Sequence, residues 1–323
     1  MDRKLTSQDI ARLAGVSQTA VSLVLRGRWQ GRVGQDTAAR IQRIAEEKNY
    51  RVNRAASLLK TGETNTIAVV VPDSENPFFS RILHALRVRT IKLGFECMLV
   101  ETAGSSTWYD YIENSILGGE IARAVNLYNN RIDINPAIAD RVITVNDVFA
   151  STSSVLIDYN WAINEAVRLL REKGYTNLLQ ITPDPSRRVL STRTDAFRKA
   201  SEEVEIRHSN LYAEGHVRNN IYELLREHSK ELEYPLGMIL DDDLYAPGVY
   251  AFARDNDLII GKDIGVISMN DTFVCPCLQP YLSSFGFDDD LLVSRILEML
   301  EGGTESGFRK EKILMRLNDG KSY

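Results

Sequence analysis

Apolar residues recur at helical spacing in the first 50 residues, in short runs separated by turn residues. Thr6 followed by Asp9 has the pattern of a capping box, which predicts the start of an amphipathic helix. Gly15 then marks a turn and Ser17 a second N-cap, so a second short helix is predicted to follow directly. The predicted inward faces carry Ile10, Ala11, Ala14, Val21, Val24 and Leu25. This is a helix-turn-helix, whose second helix can read base edges in the major groove.

A different pattern begins at residue 66. The apolar run Thr66–Pro72 predicts a buried strand of a parallel sheet, and a helix is predicted from Asn76 to Lys92. Strand-length apolar runs and amphipathic helices then alternate almost to the end of the chain. Further strands are predicted at Glu96–Glu101, Val142–Asn146, Leu178–Thr182, Gly237–Leu240, Ile264–Ser268 and Lys312–Leu317, and helices at Trp161–Lys173, Thr194–Glu203, Ala246–Asn256 and Asp290–Glu301. Such alternation over this length predicts two doubly wound sheets.

Charge divides the chain in the same place. Residues 1–62 hold 12 Lys and Arg against 5 Asp and Glu, while the other residues hold 27 against 39. A basic segment on an acidic body is typical of nucleic-acid binding confined to one end. A solvated basic face on an ordinary helical domain is the alternative.

The segments Gly15–Leu25, Asn49-Tyr50 and Asn53–Leu59 resemble the headpiece and hinge of the LacI/GalR family of bacterial transcription regulators, and the resemblance continues to about residue 318. It implies a small all-α helix-turn-helix headpiece over residues 1–62, with a hinge helix at about 53–60. An effector-binding and dimerisation domain would follow over residues 63–323. Its fold would be that of periplasmic binding proteins, with two doubly wound parallel-sheet subdomains. They would comprise residues 63–158 with 289–311, and residues 159–288 with 312–323.

The resemblance also implies DNA contacts. Gln18 and Thr19 would open the recognition helix and meet base edges, and Leu23 stands where many relatives carry a base-reading Arg. Backbone and supporting contacts would come from Thr6, Ser17, Ser22, Arg26, Thr37, Tyr50 and Asn53. Ala56 and Leu59 of the hinge would enter the minor groove, with Leu59 as an apolar wedge. The alternative for these two is a linker helix packed on the body.

For the effector site, the resemblance implies a cleft at the carboxyl ends of strands. Phe78 and Phe79 would line one wall, and Arg193, just before the helix predicted at Thr194, would bind ligand hydroxyls or a carboxylate. Further ligand contacts would come from Asn146, Asp242 and Asn270. The two phenylalanines could instead be core, and Asp242 and Asp243 could instead start the next helix.

Several segments depart from the family pattern. Ala122–Tyr128 replaces an Asp-Gly-Ile-Ile type of strand, and Ser268–Asp271 replaces Gly-Tyr-Asp-Asp. These changes leave open a protein corepressor in place of a sugar. The aromatic cluster Trp108–Tyr111 has no family role and is expected to pack at the surface.

Nothing in the sequence points to catalysis. It has no Walker motif and no Gly-x-Gly-x-x-Gly, Gly-x-Ser-x-Gly or His-Glu-x-x-His. The four histidines are dispersed, and the three cysteines lack zinc spacing and suit a reducing cytoplasm. We therefore expect a cytoplasmic homodimer without metal or cofactor, bound to near-palindromic operator DNA and to a small effector, with no membrane partner. A solute-binding protein and an α/β enzyme are the rival classes.

Overall fold

The structure is a computed structural model, which describes residues 5–25, 29–48, 50, 64–102, 107–128, 133–146, 152–183, 188–213, 220–302 and 307–323. The described residues divide into two compact units. The first lies within Met1–Val69, Leu86–Val100 and Ser106–Ala124, and the second within Val70–Ala85, Glu101–Ser105 and Val125–Tyr323.

Three short helices form the amino-terminal part of the first unit: α1 Ser7–Ala14, α2 Gln18–Leu25 and α3 Gln35–Glu47. The predicted capping box is present at the start of α1, and Gly15 ends that helix with the left-handed backbone (φ 63°) that glycine adopts without strain. The three helices share one apolar core, in which Ile10, Val21 and Ile41 are fully buried. The predicted helix-turn-helix is thereby confirmed.

The alternating pattern is also confirmed beyond residue 66. The strands are β1 Thr66–Val71, β2 Glu96–Glu101, β3 Arg123–Asn126, β4 Val142–Val145, β5 Ser153–Ile157, β6 Asn177–Pro183, β7 Arg207–Ala213, β8 Leu236–Leu240, β9 Ile264–Met269, β10 Ser283–Gly286, β11 Lys310–Ile313 and β12 Arg316–Asn318. The helices are α4 Pro77–Lys92, α5 Thr107–Leu117, α6 Tyr159–Glu172, α7 Arg188–Glu203, α8 Ile221–Glu227, α9 Ala246–Asp255 and α10 Asp289–Gly302.

The described strands form two six-stranded sheets, in the orders β11-β5-β4-β3-β1-β2 and β12-β10-β9-β8-β6-β7. Neighbouring strands in the second sheet run parallel from β10 to β7, and β12 is antiparallel to β10. β8 and β9 are buried throughout, as expected of strands covered on both faces. This is the predicted fold class of helical headpiece and doubly wound parallel sheets.

Two predicted boundaries are wrong. The single strand expected at Lys312–Leu317 is two strands, because the chain leaves the first sheet after Ile313 and joins the second at Arg316. The helix expected from Thr194 begins at Arg188, so Arg193 lies inside α7, because nothing between these residues interrupts a helix.

The aromatic cluster at Trp108–Tyr111 belongs to α5, a helix that the apolar pattern did not predict. Trp108 is buried with Ile112 and Ile116, at the four-residue spacing that places side chains on one helical face. Tyr111, on another face, is exposed. Surface packing is therefore wrong for Trp108, whose ring belongs to the core.

Candidate DNA interface and effector site

The outer face of α2 carries the predicted base-reading residues. Val21 and Val24 turn inward to the headpiece core. Thr19 is exposed, and Gln18, Ser22 and Leu23 are half-buried. Because positions four apart share a helix face, these four side chains form two adjacent rows on the outer surface of α2.

Several headpiece polar groups hold the helix ends in place. The Thr6 hydroxyl donates to the Asp9 carboxylate at 2.7 Å, and the Ser17 hydroxyl accepts from the backbone N–H of Ala20 at 3.1 Å. The Gln18 amide donates to the Ser7 hydroxyl at 2.7 Å, which ties the start of α2 to α1. These bonds orient the surface that the resemblance assigns to DNA.

The remaining predicted DNA contacts differ in their setting. Thr37 is half-buried on α3, and Tyr50 packs against the headpiece core. Gly34 precedes α3 and, because glycine has no side chain, provides no side-chain cap for this helix. Arg26, Asn53, Ala56 and Leu59 lie outside the described residues.

A polar cluster lies within the second unit, mainly where parallel strands end. We call it the Arg193 cluster, and its members are Asn76, Tyr159, Arg193, Asp241, Asp242 and Asn270. Tyr159 follows β5, Asp241 and Asp242 follow β8, and Asn270 follows β9. The carboxyl ends of strands are where open α/β folds bind ligands, so the cluster stands in the expected place.

Arg193 is at the centre of this cluster. Its side chain is 9% exposed, and its guanidinium carbon lies 3.5 Å from the centroid of the Tyr159 ring. Nη1 is 3.8 Å from Oδ2 of Asp241, which is 1% exposed. Two unit charges at this separation attract by about 4 kcal/mol at an effective dielectric constant of about 20. Nε of Arg193 has no hydrogen-bond partner among the described residues.

The Asp241 carboxylate is held on both oxygens. Oδ1 accepts from the Gln180 amide at 2.9 Å, and Oδ2 accepts from the Thr182 hydroxyl at 2.8 Å. Gln180 and Thr182 are fully buried on β6, the neighbour of β8. The carboxylate is therefore fixed beside Arg193 by the sheet itself.

Asp242 has two partners of its own. Oδ2 accepts from the Asn76 amide at 2.8 Å, and Oδ1 accepts from the backbone N–H of Leu244 at 2.9 Å. Burial raises the pKa of Asp242 to about 6, although both hydrogen bonds lower it. The carboxylate thus caps a helical turn, as the alternative interpretation required, and also reaches Asn76.

Asn270 joins the cluster through Tyr159. The Tyr159 hydroxyl donates to Oδ1 of Asn270 at 2.8 Å, and both side chains are buried. Burial raises the pKa of Tyr159 to about 12, so this hydroxyl remains a donor at neutral pH. Asn270 has φ 95°, a conformation that is rare outside glycine. Such strain in a non-glycine residue is common at binding sites.

The two predicted aromatic residues have different environments. Phe78 is buried, with its ring centroid 4.8 Å from that of Phe79 and 5.9 Å from that of Phe287. Phe79 is half-buried. Phe78 is thus a core residue, as the alternative interpretation required, while Phe79 keeps a partly open surface.

The side chain and the backbone N–H of Asn146 both form hydrogen bonds within the first sheet. Its side-chain oxygen accepts from the backbone N–H of Ile157 at 2.9 Å, and its backbone N–H donates to Val155. The side chain therefore links the end of β4 to β5.

Sequence reasoning missed four polar residues of this region. Asn76, Tyr159 and Asp241 lie close after the ends of β1, β5 and β8, a position that could have signalled them. Arg81 had no such signal. Its Nη1 donates to the carbonyl of Asp271 at 3.0 Å, and its Nε is 3.2 Å from Oδ1 of Asp289.

The chain is similar in sequence to known protein families and to individual regulators. Residues 6–53 match the family model described as bacterial regulatory proteins, lacI family, and residues 167–323 match a periplasmic binding protein-like domain. The HTH-type transcriptional regulator DegA of Bacillus subtilis is 25% identical over 294 residues, covering 87% of this chain and 86% of that protein. The ribose operon repressor of Escherichia coli is 24% identical over 305 residues, covering 91% and 92%. The chain belongs to the LacI family of bacterial regulatory proteins.

A solved structure agrees with this LacI-family fold. The lac repressor dimer, bound to operator and the anti-inducer ONPF, superposes with a TM-score of 0.79 at 22% identity, covering 99% of each chain. At 22% identity this structural similarity shows only that the two proteins share a fold. It extends over the headpiece as well as the two sheets.

The described side chains of this LacI-family chain offer no group of three or more His, Cys, Asp or Glu placed to hold a metal ion. None of its described helices is long and apolar enough to span a membrane. Cys97, Cys275 and Cys277 are free thiols.

Proposed function

We propose that this LacI-family chain is a sequence-specific DNA-binding regulator that represses genes for a sugar or a related small molecule. An effector bound at the Arg193 cluster changes its affinity for the operator. The observation that carries the proposal is the outer face of α2, where Gln18, Thr19, Ser22 and Leu23 lie over a buried apolar face. A recognition helix needs this arrangement to present side chains to base edges.

On the DNA, α2 would enter the major groove, with Gln18 and Thr19 at the bases. Leu23 is apolar and suits contact with a thymine methyl in place of a guanine. In the proposed headpiece of residues 1–62, Ala56 and Leu59 would enter the minor groove at the centre of a near-palindromic site. The high positive charge of this segment supports contacts with phosphates.

Reading a palindrome requires two copies of the chain, related by a twofold axis that coincides with that of the DNA. The first unit offers a surface for such pairing. Exposed apolar side chains lie on α4, on the edge strand β2 and on α5: Val88, Ile91, Leu99, Tyr111 and Leu117. Large exposed apolar residues on neighbouring elements suit a protein interface, and we propose that they pair two protomers.

The Arg193 cluster supplies donors and acceptors for a small polar effector. Relatives include a protein named for the ribose operon, and the lac repressor structure holds the ligand ONPF. We extend a sugar-class effector to this chain on that basis. An effector can change operator affinity only by binding one conformation of the protein more tightly than the other.

The test is selection of bound fragments from fragmented DNA of the source organism by the full-length protein at physiological salt, followed by sequencing. Salt is fixed because phosphate contacts alone give sequence-blind binding at low salt. We expect enrichment of one palindrome, and the genes beside it should indicate the class of effector.

A chain without residues 1–62 is the control, and it should recover no enriched site. Sequence-blind recovery by the full-length protein, with or without candidate effectors, would contradict the proposal. Recovery of the palindrome by the truncated chain would remove α2 from recognition.

A further inference from the structure

The arginine of the proposed effector site already has a counter-charge. Asp241 Oδ2 lies 3.8 Å from Nη1 of Arg193, and both side chains are at least nine-tenths buried. A buried guanidinium normally attracts a carboxylate or phosphate of the ligand. Here a carboxylate of the protein occupies that role, so the charge of Arg193 is balanced before any effector binds.

Asp241 cannot turn away to release Arg193. Gln180 and Thr182 each donate to one of its oxygens, at 2.9 and 2.8 Å. Gln180 is itself oriented, because its Oε1 accepts from the Asn210 amide at 2.9 Å and its Nε2 therefore faces Asp241. This chain of bonds runs from β7 through β6 to the end of β8. The carboxylate is part of the sheet's buried hydrogen-bond network.

A second carboxylate near Arg193 adds further negative charge to the cluster. The Asp242 carboxylate follows Asp241 directly and is held by Asn76. Arg81, the other arginine described in this region, donates from Nη1 to the Asp271 carbonyl and faces the Asp289 carboxylate at 3.2 Å from Nε, while its Nη2 has no hydrogen-bond partner among the described residues. Among the described residues, both arginines of this region therefore already face a carboxylate of the protein, and an incoming anion would meet those carboxylates as well.

The groups that remain open suit hydroxyls. Nε of Arg193 is buried and has no hydrogen-bond partner among the described residues, while the side-chain oxygens of Asp242 and Asn270 each accept one described bond and have a lone pair for a second. A hydroxyl both donates and accepts, so a polyhydroxylated molecule can use donors and acceptors together. Half-buried Phe79 can face the apolar side of a sugar ring.

We propose that Asp241 is a specificity-determining residue, which restricts the effector to uncharged polyhydroxylated molecules and excludes phosphate esters and carboxylates. The inference rests on the proposed function, since it concerns the effector of that site. It assigns to Asp241 a role separate from ligand contact, namely cancelling the charge that would attract an anion.

The test compares the wild-type protein with Asp241→Asn by titration calorimetry. The probes are inorganic phosphate, and D-ribose and D-glucose each paired with its phosphate ester. Asparagine keeps the shape and can still bond to Gln180 and Thr182, but it leaves Arg193 unbalanced. We expect inorganic phosphate to bind D241N at least about 10-fold more tightly than the wild type, a difference of about 1.4 kcal/mol.

Two control variants test whether the gain in phosphate affinity comes from the unbalanced charge of Arg193. The double variant D241N/R193Q should lose the gained phosphate affinity, because no guanidinium remains to receive the anion. Asp255→Asn removes an equal charge from an exposed site on α9 and should behave as the wild type. Asp241→Ser is made in parallel, so that the result does not depend on one variant folding.

Equal phosphate affinity in wild type and both Asp241 variants would overturn the inference. So would a wild-type protein that binds a phosphate ester as tightly as its parent sugar, or more tightly. Failure of the proposed function is seen separately, as absence of a selected palindrome. A selected palindrome with an anionic effector would refute the role of Asp241 alone.

Discussion

The headpiece and the Arg193 cluster are built in opposite ways. In the headpiece, the surface residues and the core beneath them come from the same three helices within residues 7–47. In the cluster, Asn76 bonds to Asp242, 166 positions away, and Tyr159 bonds to Asn270, 111 positions away. The proposed DNA surface therefore depends on local sequence, whereas the residues of the Arg193 cluster come together only when the sheets have formed.

This difference predicts how each region responds to substitution. A change in the headpiece core should abolish DNA binding without reaching the effector site. A change in the cluster should alter the effector response while the headpiece keeps its fold. The following substitutions test that separation, from the largest expected effect to the smallest.

Ile41→Ala should abolish specific operator binding. Ile41 is fully buried where the three helices meet, and such truncations cost about 2–5 kcal/mol. A helical segment this small has little stability to lose. Gel-shift titration of the selected operator measures the effect, and Ile41→Val is the matched control with nearly native affinity. Native operator affinity in I41A would show that α3 does not support the DNA surface.

Arg193→Ala should weaken the effector response by about 100-fold and leave operator affinity unchanged without effector. The variant removes the buried guanidinium that is proposed to bind effector hydroxyls, and a hydrogen bond to a charged group is worth about 1.5–3 kcal/mol. Calorimetry with the identified effector measures the loss. Arg198→Ala, on the same helix with an exposed ion pair to Glu202, is the control. An unchanged effector titration would remove Arg193 from the site.

Leu59→Ala should weaken specific operator binding by about 10-fold, because the wedge would no longer separate the central base step. Binding to non-specific DNA should change less than about twofold, since phosphates dominate it. Competition gel shifts with both DNAs give the ratio, and Leu58→Ala is the neighbouring control. An equal loss on both DNAs would refute the wedge and leave the linker-helix interpretation.

Effector affinity should change a few-fold between pH 7.5 and pH 5, and the titrating group should be Asp242. Its pKa is raised to about 6, so lowering the pH from 7.5 to 5 protonates it and removes a charged acceptor. Effector affinity should fall over that window in the wild type. In Asp242→Asn the profile should be flatter; an equally steep profile would assign the titration to another group.

The same shift has a consequence for stability. Because the pKa of Asp242 is higher in the folded protein than its ordinary value of 3.8, the ionised carboxylate lowers folding stability above about pH 6. That cost decreases as the pH falls from about 6 to 4 and is absent below. The Tm of D242N should therefore exceed that of the wild type at pH 7.5, and the difference should shrink at pH 4.5.

The elements that the sequence predicted well are those with a local cause. The capping box at Thr6, the turn at Gly15 and the buried face of α2 each depend on residues within one or two turns of a helix. The strands β8 and β9 were predicted equally well, because a short continuous apolar run is typical of a strand that is buried on both faces of a parallel sheet. The start of α7 was missed because Val189 and Leu190 are the only apolar residues before Ala196, too few to show helical spacing.

The sequence by itself determined the helix-turn-helix, the alternation of strands and helices, and the strand ends at which Asp242 and Asn270 stand. Only the tertiary structure decided which side chains meet there. It placed Tyr159 over Arg193, committed Asn146 to β5, buried Phe78 in the core and fixed Asp241 as the counter-charge of Arg193. The reason is physical: strand order and register bring distant residues together, and neither leaves a periodic signal along the chain.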